Sequence, residues 1–285
     1  MLLAKYTVVT DYAQEIPVKV IRFPTGEVNV KLEVAPGQRV RLKNCVNIWV
    51  QGYDANTLFV LACIKNAVQD LLLRSEVSAD INLYMPYLPN ARYDRHMVDG
   101  DGFALQVFCS MLNLLSFNRV VVSDPHSDVA GALIKNFVQI PQHKLVMDTI
   151  RLFKRDFNVL VAPDAGAAKK IYKTAQALVL PVVTMSKSRD VSTGEINGVV
   201  LMDTLPDNAK CLIIDDICDG GRTFTEAAKV LRGAGAEAVS LYVTHGIFSK
   251  GVQVLLDNGI EHIYTTNSYS DWESNSQLTV NNLFA

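Results

Sequence analysis

The sequence predicts an α/β protein built from two mainly parallel β-sheets, each flanked by helices. Short runs rich in valine and isoleucine alternate with segments whose apolar residues recur at helical spacing, the pattern of parallel strands joined by crossover helices. The alternation occurs twice along the chain. A length of 285 residues with 49% hydrophobic content is enough for two domains of ordinary size.

The first round of this alternation occupies the first half of the chain. Apolar runs predict strands at 47–50, 81–85 and 119–123, and prolines end the second of them. Two intervening segments repeat the three-four-three spacing of an amphipathic helix. Their apolar positions are Leu61, Ile64, Val68 and Leu71 in one, and Leu105, Phe108, Leu112 and Leu115 in the other.

The second round predicts strands at 158–162, 178–185, 211–214 and 239–244. A helix over 223–233 should bury Ala227, Val230, Leu231 and Ala234, and should end at the glycines that follow Arg232. The two rounds join near 141–148, and we place the boundary between residues 143 and 144. This gives an N-terminal domain, 1–143, and a C-terminal domain, 144–285.

Composition excludes several classes of protein. Lysine plus arginine is 27 and aspartate plus glutamate is 29, so the chain lacks the basic excess of a general nucleic-acid binder. No apolar run is long enough to span a bilayer, and the start lacks the pattern of a secretory signal. The five cysteines are scattered and form no CxxC pair, which favours reduced thiols and a cytoplasmic location.

The segment from Cys211 to Thr223 carries the strongest functional signal. A buried strand is expected to deliver Asp215 and Asp216 to its C-terminal end, where open α/β sheets bind ligands. The turn that follows, Asp219-Gly220-Gly221-Arg222-Thr223, would present backbone N–H groups at a helix N-terminus, an anion site. Adjacent carboxylates suit two ribose hydroxyls, and the glycine turn suits a phosphate on the same sugar. The alternative is an acidic strand end followed by an ordinary helix cap.

Four other segments place charged side chains at strand ends or in loops. Each also has a plain structural explanation, as a solvated loop, a buried histidine, a strand–helix connection or a basic hairpin. Two arginines in a proline-bounded loop could hold a polyphosphate, and His126 could supply a metal ligand or a phosphate contact. The segments are Pro89–Arg95, Ser123–Asp128, Ala162–Ala168 and Met185–Asp190.

The segment 211–223 resembles the phosphoribosyl-binding motif of the type I phosphoribosyltransferase fold. Pro89–Arg95, Ser123–Asp128, Ala162–Ala168 and Met185–Asp190 resemble, in order, the ATP-contacting, histidine, diphosphate-binding and flexible catalytic segments of the PRPP synthetases, the ribose-phosphate diphosphokinases of this fold. Weaker likenesses at Arg22–Glu27 and Val243–Ser249 extend the match over nearly the whole chain.

This resemblance implies two phosphoribosyltransferase-like domains, the first for ATP and the second for ribose 5-phosphate. It implies Mg²⁺ as cofactor and a homo-oligomer in which the ATP site is shared between subunits. The implied roles are these: catalysis by Lys187, Arg189 and His126; ATP binding by Phe23, Thr25, Gly26, Glu27, Arg92, Tyr93 and His126; ribose 5-phosphate binding by Arg189, Asp215, Asp216, Asp219, Gly220, Gly221, Arg222 and Thr223; metal binding by His126 and Asp164.

The implied reaction transfers the β,γ-diphosphoryl group of Mg-ATP to the C1 hydroxyl of ribose 5-phosphate, giving 5-phosphoribosyl 1-diphosphate (PRPP) and AMP. Three positions depart from the family pattern. Thr25 replaces an acid, Tyr93 replaces a glutamine, and Arg222 replaces a glycine of the phosphate loop, where it could contact or crowd the phosphate. Two other functions stay open at this point: a silent regulatory partner of a synthetase, and a transferase that consumes PRPP.

Overall fold

The computed structural model describes residues 4–35, 38–152, 157–189 and 196–284. The chain forms two compact units, Met1–Ile140 and Pro141–Ala285. Helix α4 (Gln142–Leu152) opens the second unit, so the predicted boundary between residues 143 and 144 would cut its first turn. None of the described helices has both the length and the apolarity to cross a membrane.

The first unit is a seven-stranded sheet with helices. Its elements are β1 (Lys5–Thr10), β2 (Glu15–Arg22), β3 (Val28–Leu32), β4 (Cys45–Gln51), α1 (Thr57–Arg74), β5 (Asp80–Tyr84), α2 (Ala104–Leu114), β6 (Arg119–Ser123), α3 (Val129–Leu133) and β7 (Phe137–Ile140). The strand order is β3-β2-β1-β4-β5-β6-β7. Strands β4 to β7 are parallel, whereas β1 runs antiparallel to both of its neighbours and β3 is antiparallel to β2.

The second unit repeats this strand order in a sheet of its own, β10-β9-β8-β11-β12-β13-β14. After α4 come β8 (Val159–Ala162), α5 (Ala165–Leu178), β9 (Val182–Arg189), β10 (Ile196–Leu201), β11 (Lys210–Cys218), α6 (Arg222–Gly233), β12 (Ala238–Gly246), α7 (Gln253–Leu256), β13 (His262–Thr266) and β14 (Leu278–Asn281). Here β9 and β10 are antiparallel, and the other described neighbours are parallel. The predicted fold class, two mostly parallel sheets flanked by helices, is confirmed.

The buried faces follow the predicted periodicity with three corrections. Helix α1 buries Leu61, Ile64 and Val68, but the next buried position is Leu72, while Leu71 is only half-buried. Helix α6 buries Ala227 and Leu231, but Val230 is only half-buried, and Ala234 is exposed because the helix has already ended at Gly233.

The predicted strand at 178–185 is wrong in its first part. Leu178 is the last residue of α5, and Val179 caps that helix in the left-handed conformation with a φ of 56°. The apolar run therefore contains the end of a helix and the start of a strand, which hydrophobicity alone does not separate. Strand β9 begins only at Val182.

Candidate active site

The end of β11 places two carboxylates beside a lysine of α5. Asp216 is buried, and its Oδ2 atom lies 3.2 Å from the Nζ atom of Lys170. The backbone N–H of Asp216 donates to Oδ1 of Asp215 at 2.9 Å. Because successive residues of a strand point to opposite faces, the two acids have different surroundings, with Asp215 half-buried.

Asp164 adds a third carboxylate at the same edge of the second sheet. It follows β8, the parallel neighbour of β11, and caps α5 by accepting from the N–H of Ala167 at 3.0 Å. Burial raises the pKa of Asp215 well above its usual value, and the negative charges of Asp216 and Asp164 raise it further. The structure thus brings Asp164 close to Asp215 and Asp216.

The turn after β11 has the geometry of an anion-binding loop. Helix α6 starts at Arg222, so the amide groups of the preceding turn and of the first helical turn lie at the positive end of its dipole. Gly221 adopts a φ of 80°, and a Cβ atom there would lie 2.8 Å from Cδ2 of Leu255. This position therefore requires glycine on both backbone and steric grounds.

Arg222 points along the outside of α6 rather than over the turn. Its Nε atom lies 2.7 Å from Oε1 of Glu226, one helical turn away, and its side chain is 84% exposed. The sequence allowed Arg222 either to contact a phosphate on the turn or to crowd it. In this conformation the side chain does neither.

The segment Val243–Ser249 lies against this turn. The N–H groups of Ile247 and Phe248 donate to the carbonyl of Cys218, at 2.9 and 3.1 Å, and that of Ser249 donates to the carbonyl of Asp219 at 3.2 Å. His245 is buried, with Nδ1 2.8 Å from Oγ of Ser268. The resemblance at 243–249 thus corresponds to a structural support of the phosphate turn.

In the first unit, the segments 89–95 and 123–128 come together at Asp94. This buried carboxylate is 2.7 Å from Nε of Arg95. The hydrogen bond from Arg95 lowers the pKa of Asp94, and the nearby Ser127 and His126 contribute in the same direction. Arg92 and Tyr93 are exposed on the same loop.

The hairpin between β2 and β3 carries Phe23, Thr25, Gly26 and Glu27. Its turn is closed by the N–H of Gly26 donating to the carbonyl of Phe23 at 2.9 Å, with Gly26 at a φ of 88°. Thr25 donates to Glu27 at 2.9 Å, and Phe23 is 48% exposed. These residues face solvent in the single chain.

Lys187 and Arg189 occupy the last positions of β9. Their backbones pair with Val199 and Ile196 of β10, so they lie on a β-ribbon at the edge of the second sheet. Only their backbones belong to the described part of the chain. The rest of the predicted flexible segment, residues 190–195, lies outside it.

Comparison with known proteins shows which proteins this chain is similar to. A family model for the phosphoribosyl transferase domain matches residues 142–279, nearly the whole second unit. A putative ribose-phosphate pyrophosphokinase 2 of Streptococcus pneumoniae is 26% identical over 268 residues, 88% of this chain and 77% of the relative. A ribose-phosphate pyrophosphokinase of Saccharolobus solfataricus is 24% identical over 250 residues, covering 86% of this chain and 82% of the relative. These matches extend across both units.

The chain is similar to ribose-phosphate pyrophosphokinases over most of its length, and its second unit matches the phosphoribosyl transferase domain. The fold agrees: the crystal structure of phosphoribosylpyrophosphate synthetase from Mycobacterium smegmatis matches 94% of this chain and 86% of its own, with a TM-score of 0.75 and 23% identity. The predicted resemblance to this family and the predicted phosphoribosyltransferase fold are thereby confirmed.

The two residues predicted as metal ligands lie in different units, His126 in the first and Asp164 in the second. No group of three or more potential ligands is assembled within the described residues. Mg²⁺ commonly binds to one or two carboxylates together with substrate phosphates. The oxygen donors of Asp164 and Asp215 fit that chemistry, and a divalent cation would relieve the crowding of negative charge around Asp215.

Sequence reasoning missed two cations of the second unit, Lys170 and Lys250. Lys170 lies on α5, 46 residues before its partner Asp216. Lys250 lies beside Gly220, where its Cε atom would be 3.6 Å from a Cβ atom added to the glycine. Neither lysine belongs to a recognisable local pattern, because both act through contacts that only the tertiary fold creates.

Proposed function

We propose that the chain is an ATP-dependent ribose-phosphate diphosphokinase that forms PRPP and AMP. The β11–α6 connection is the observation that carries this proposal, because it combines Asp215, Asp219 and a glycine turn at a helix N-terminus. Ribose hydroxyls are the ligands for the carboxylates, and the 5-phosphate is the ligand for the backbone N–H groups of Gly220–Thr223. Asp216 forms a buried ion pair with Lys170 next to these carboxylates and so helps to fix the end of β11.

In the proposed reaction, the C1 hydroxyl oxygen of ribose 5-phosphate forms a bond to the β-phosphorus of ATP. The bond from that phosphorus to the α,β-bridging oxygen breaks, and AMP leaves with this oxygen. The hydroxyl proton passes to solvent. Lys187 and Arg189, at the end of β9, neutralise negative charge on the moving diphosphoryl group, while orientation by the sugar site supplies much of the rate.

The nucleotide site uses the convergence of two loops in the first unit. Arg92 and Tyr93 lie on the loop fixed by Asp94, and His126 lies on the facing one. His126 fits a hydrogen bond to a phosphate oxygen better than a magnesium contact, since magnesium prefers oxygen ligands. Mg²⁺, when bound, supplies charge neutralisation for the phosphates, and Asp164 is the residue best suited to hold it.

We further propose a cytoplasmic homo-oligomer in which the hairpin 23–27 of one subunit completes the ATP site of the next. The exposure of Phe23 supports this, as does an apolar stripe of Val107, Met111 and Leu114 on the outer side of α2. The oligomers of a Glu27→Gln variant and of a Lys187→Ala variant are dissociated, mixed and allowed to reassemble. Part of the activity should return, because some sites between subunits of the two variants would contain neither change. Unchanged inactivity in the mixture would contradict a shared site.

Phosphorus-31 NMR of the protein with ribose 5-phosphate, ATP and magnesium tests the reaction. We expect AMP and a sugar diphosphate in equal amounts without any nucleobase. Lys187→Ala should abolish turnover while ribose 5-phosphate binding persists, and Lys229→Ala, on the exposed side of α6, is the matched control. ADP in place of AMP, or no product from folded protein, would overturn the proposal, and the second result would favour a regulatory partner.

A further inference from the structure

Lys250 lies directly on the proposed phosphate turn. Its Cε and Cδ atoms are 3.6 and 3.7 Å from the position that a Cβ atom of Gly220 would occupy, an ordinary van der Waals contact. Gly220 has no side chain, so the aliphatic part of Lys250 covers the turn at this point. The ammonium group is bonded to Cε and therefore lies at the edge of the same turn.

The backbone holds residue 250 in this place. The N–H of Ser249 donates to the carbonyl of Asp219 at 3.2 Å, and the N–H of Gly251 donates to the carbonyl of Phe248 at 2.8 Å. Phe248 and Gly251 both have positive φ, 46° and 79°. This tight turn is fixed to the phosphate turn on one side of Lys250 and closed on the other, so only the lysine side chain retains freedom.

The charge of Lys250 is available to a ligand. Within the described part of the chain its ammonium makes no ion pair, whereas Arg222 pairs with Glu226 at 2.7 Å and Lys170 pairs with Asp216 at 3.2 Å. A sugar 5-phosphate carries between one and two negative charges at neutral pH, and backbone N–H groups provide only partial positive charge. A full cation beside them would add a charge-assisted hydrogen bond.

We propose that Lys250 binds the 5-phosphate of ribose 5-phosphate and makes the enzyme selective for the phosphorylated sugar. This inference rests on the proposed function, since it takes the turn 220–223 as the site of that phosphate. The phosphate then contacts both the N-terminus of α6 and the ammonium group of Lys250.

The test compares Lys250→Met with Lys250→Arg and with Lys229→Met. Methionine keeps most of the aliphatic stem and removes the charge, arginine keeps the charge, and Lys229→Met removes one charge from an exposed position on the same unit. For Lys250→Met we expect KM for ribose 5-phosphate to rise about tenfold, with kcat at saturating sugar phosphate within twofold of wild type. Lys250→Arg should recover most of the loss, and Lys229→Met should have no effect.

Calorimetric titration of ribose 5-phosphate without ATP separates this proposal from the proposed function. A Kd about tenfold weaker for Lys250→Met, with ribose binding unchanged, supports the lysine contact even for a protein that forms no AMP. An active wild type and a Lys250→Met variant with KM and Kd within twofold of it would overturn the role of Lys250 alone. If ribose 5-phosphate does not bind to the wild type, both proposals are wrong. Lys250→Gln replaces methionine if that variant does not fold.

Discussion

A methyl group added at Gly221 should disrupt the phosphate turn through two separable effects. The residue has a φ of 80°, and the added carbon would lie 2.8 Å from Cδ2 and 3.4 Å from Cγ of Leu255, a buried side chain of α7. Left-handed backbone costs an L-residue about 1–2 kcal/mol. Overpacking of a well-filled core costs about 1–3 kcal/mol more. Together, Gly221→Ala should lower the free energy of unfolding of the second unit by about 2–5 kcal/mol.

Gly220→Ala is the matched control in the same turn. Its added carbon meets nothing closer than Cε of Lys250 at 3.6 Å, and its φ is not positive. The loss should therefore stay below about 1 kcal/mol, since only ordinary contacts are added. The sequence has two tryptophans, so Trp272 fluorescence in a Trp49→Phe background reports urea unfolding of the second unit.

A double-mutant cycle with Leu255→Val divides the effect of Gly221→Ala into its parts. Valine withdraws the colliding methyl group, so the two changes should be less than additive by about the overpacking share, 1–3 kcal/mol. The part of the loss that comes from the left-handed backbone at residue 221 should persist in the double variant. Equal losses for Gly220→Ala and Gly221→Ala, or strict additivity with Leu255→Val, would refute the steric argument.

Three further predictions follow from ion pairs, hydrogen bonds and buried thiols. Lys170→Met should destabilise the second unit by about 3 kcal/mol, because it removes the ammonium partner of the buried carboxylate of Asp216; adding Asp216→Asn should recover much of the loss in urea unfolding. Hydrogen bonds from the hydroxyl and N–H of Thr184 lower the pKa of Asp203, so the stability difference between wild type and Asp203→Asn should be full above about pH 4 and vanish as pH falls through the lower folded-state pKa. Burial raises the pKa of Cys218 to about 12, so this thiol should resist iodoacetamide at pH 8 in the native protein, and labelling at the rate of a denatured control would contradict its burial.

The sequence predicted those parts of the fold in which one local pattern matches one element. Strand β6 has the predicted bounds, 119–123, because an apolar run stands between polar residues. The antiparallel strands β1 to β3 were not predicted, since their residues alternate between buried and exposed and form no continuous apolar run. The repetition of one strand order in both sheets was not predicted either, because a topology can be repeated where no sequence repeat is visible.

For the candidate site, local order was predictable and tertiary pairing was not. The acid pair, the glycine turn and the start of α6 follow one another in the sequence, so the chain itself keeps them close together. The contact of Asp94 with Ser127 and that of Asp216 with Lys170 join distant segments. The second contact also distinguishes the two adjacent acids, since Asp216 forms the buried ion pair with Lys170 and Asp215 is half-buried beside it.

The two units differ at the position of the proposed sugar-phosphate turn. In the first unit, the connection from β4 to α1 occupies the topological position of the β11–α6 turn. There Asp54 accepts from the N–H of Asn56 at 2.9 Å and from Arg22 at 2.8 Å, so a carboxylate of the chain already lies before the helix. In the second unit Gly220 and Gly221 stand at the corresponding place, directly before the first residue of α6.

The direction of one strand accounts for the second difference. Residues 11–14 between β1 and β2 are too few for a crossover helix, so β1 and β2 form a hairpin, and β1 is also antiparallel to β4. In the second unit the crossover helix α5 makes β8 parallel to β9. Strand β8 is also parallel to β11, which places Asp164 at the edge where β11 ends. Helix α5, which connects β8 to β9, also carries Lys170. The carboxylates and the lysine of the proposed sugar-phosphate site therefore all come from elements of the second unit.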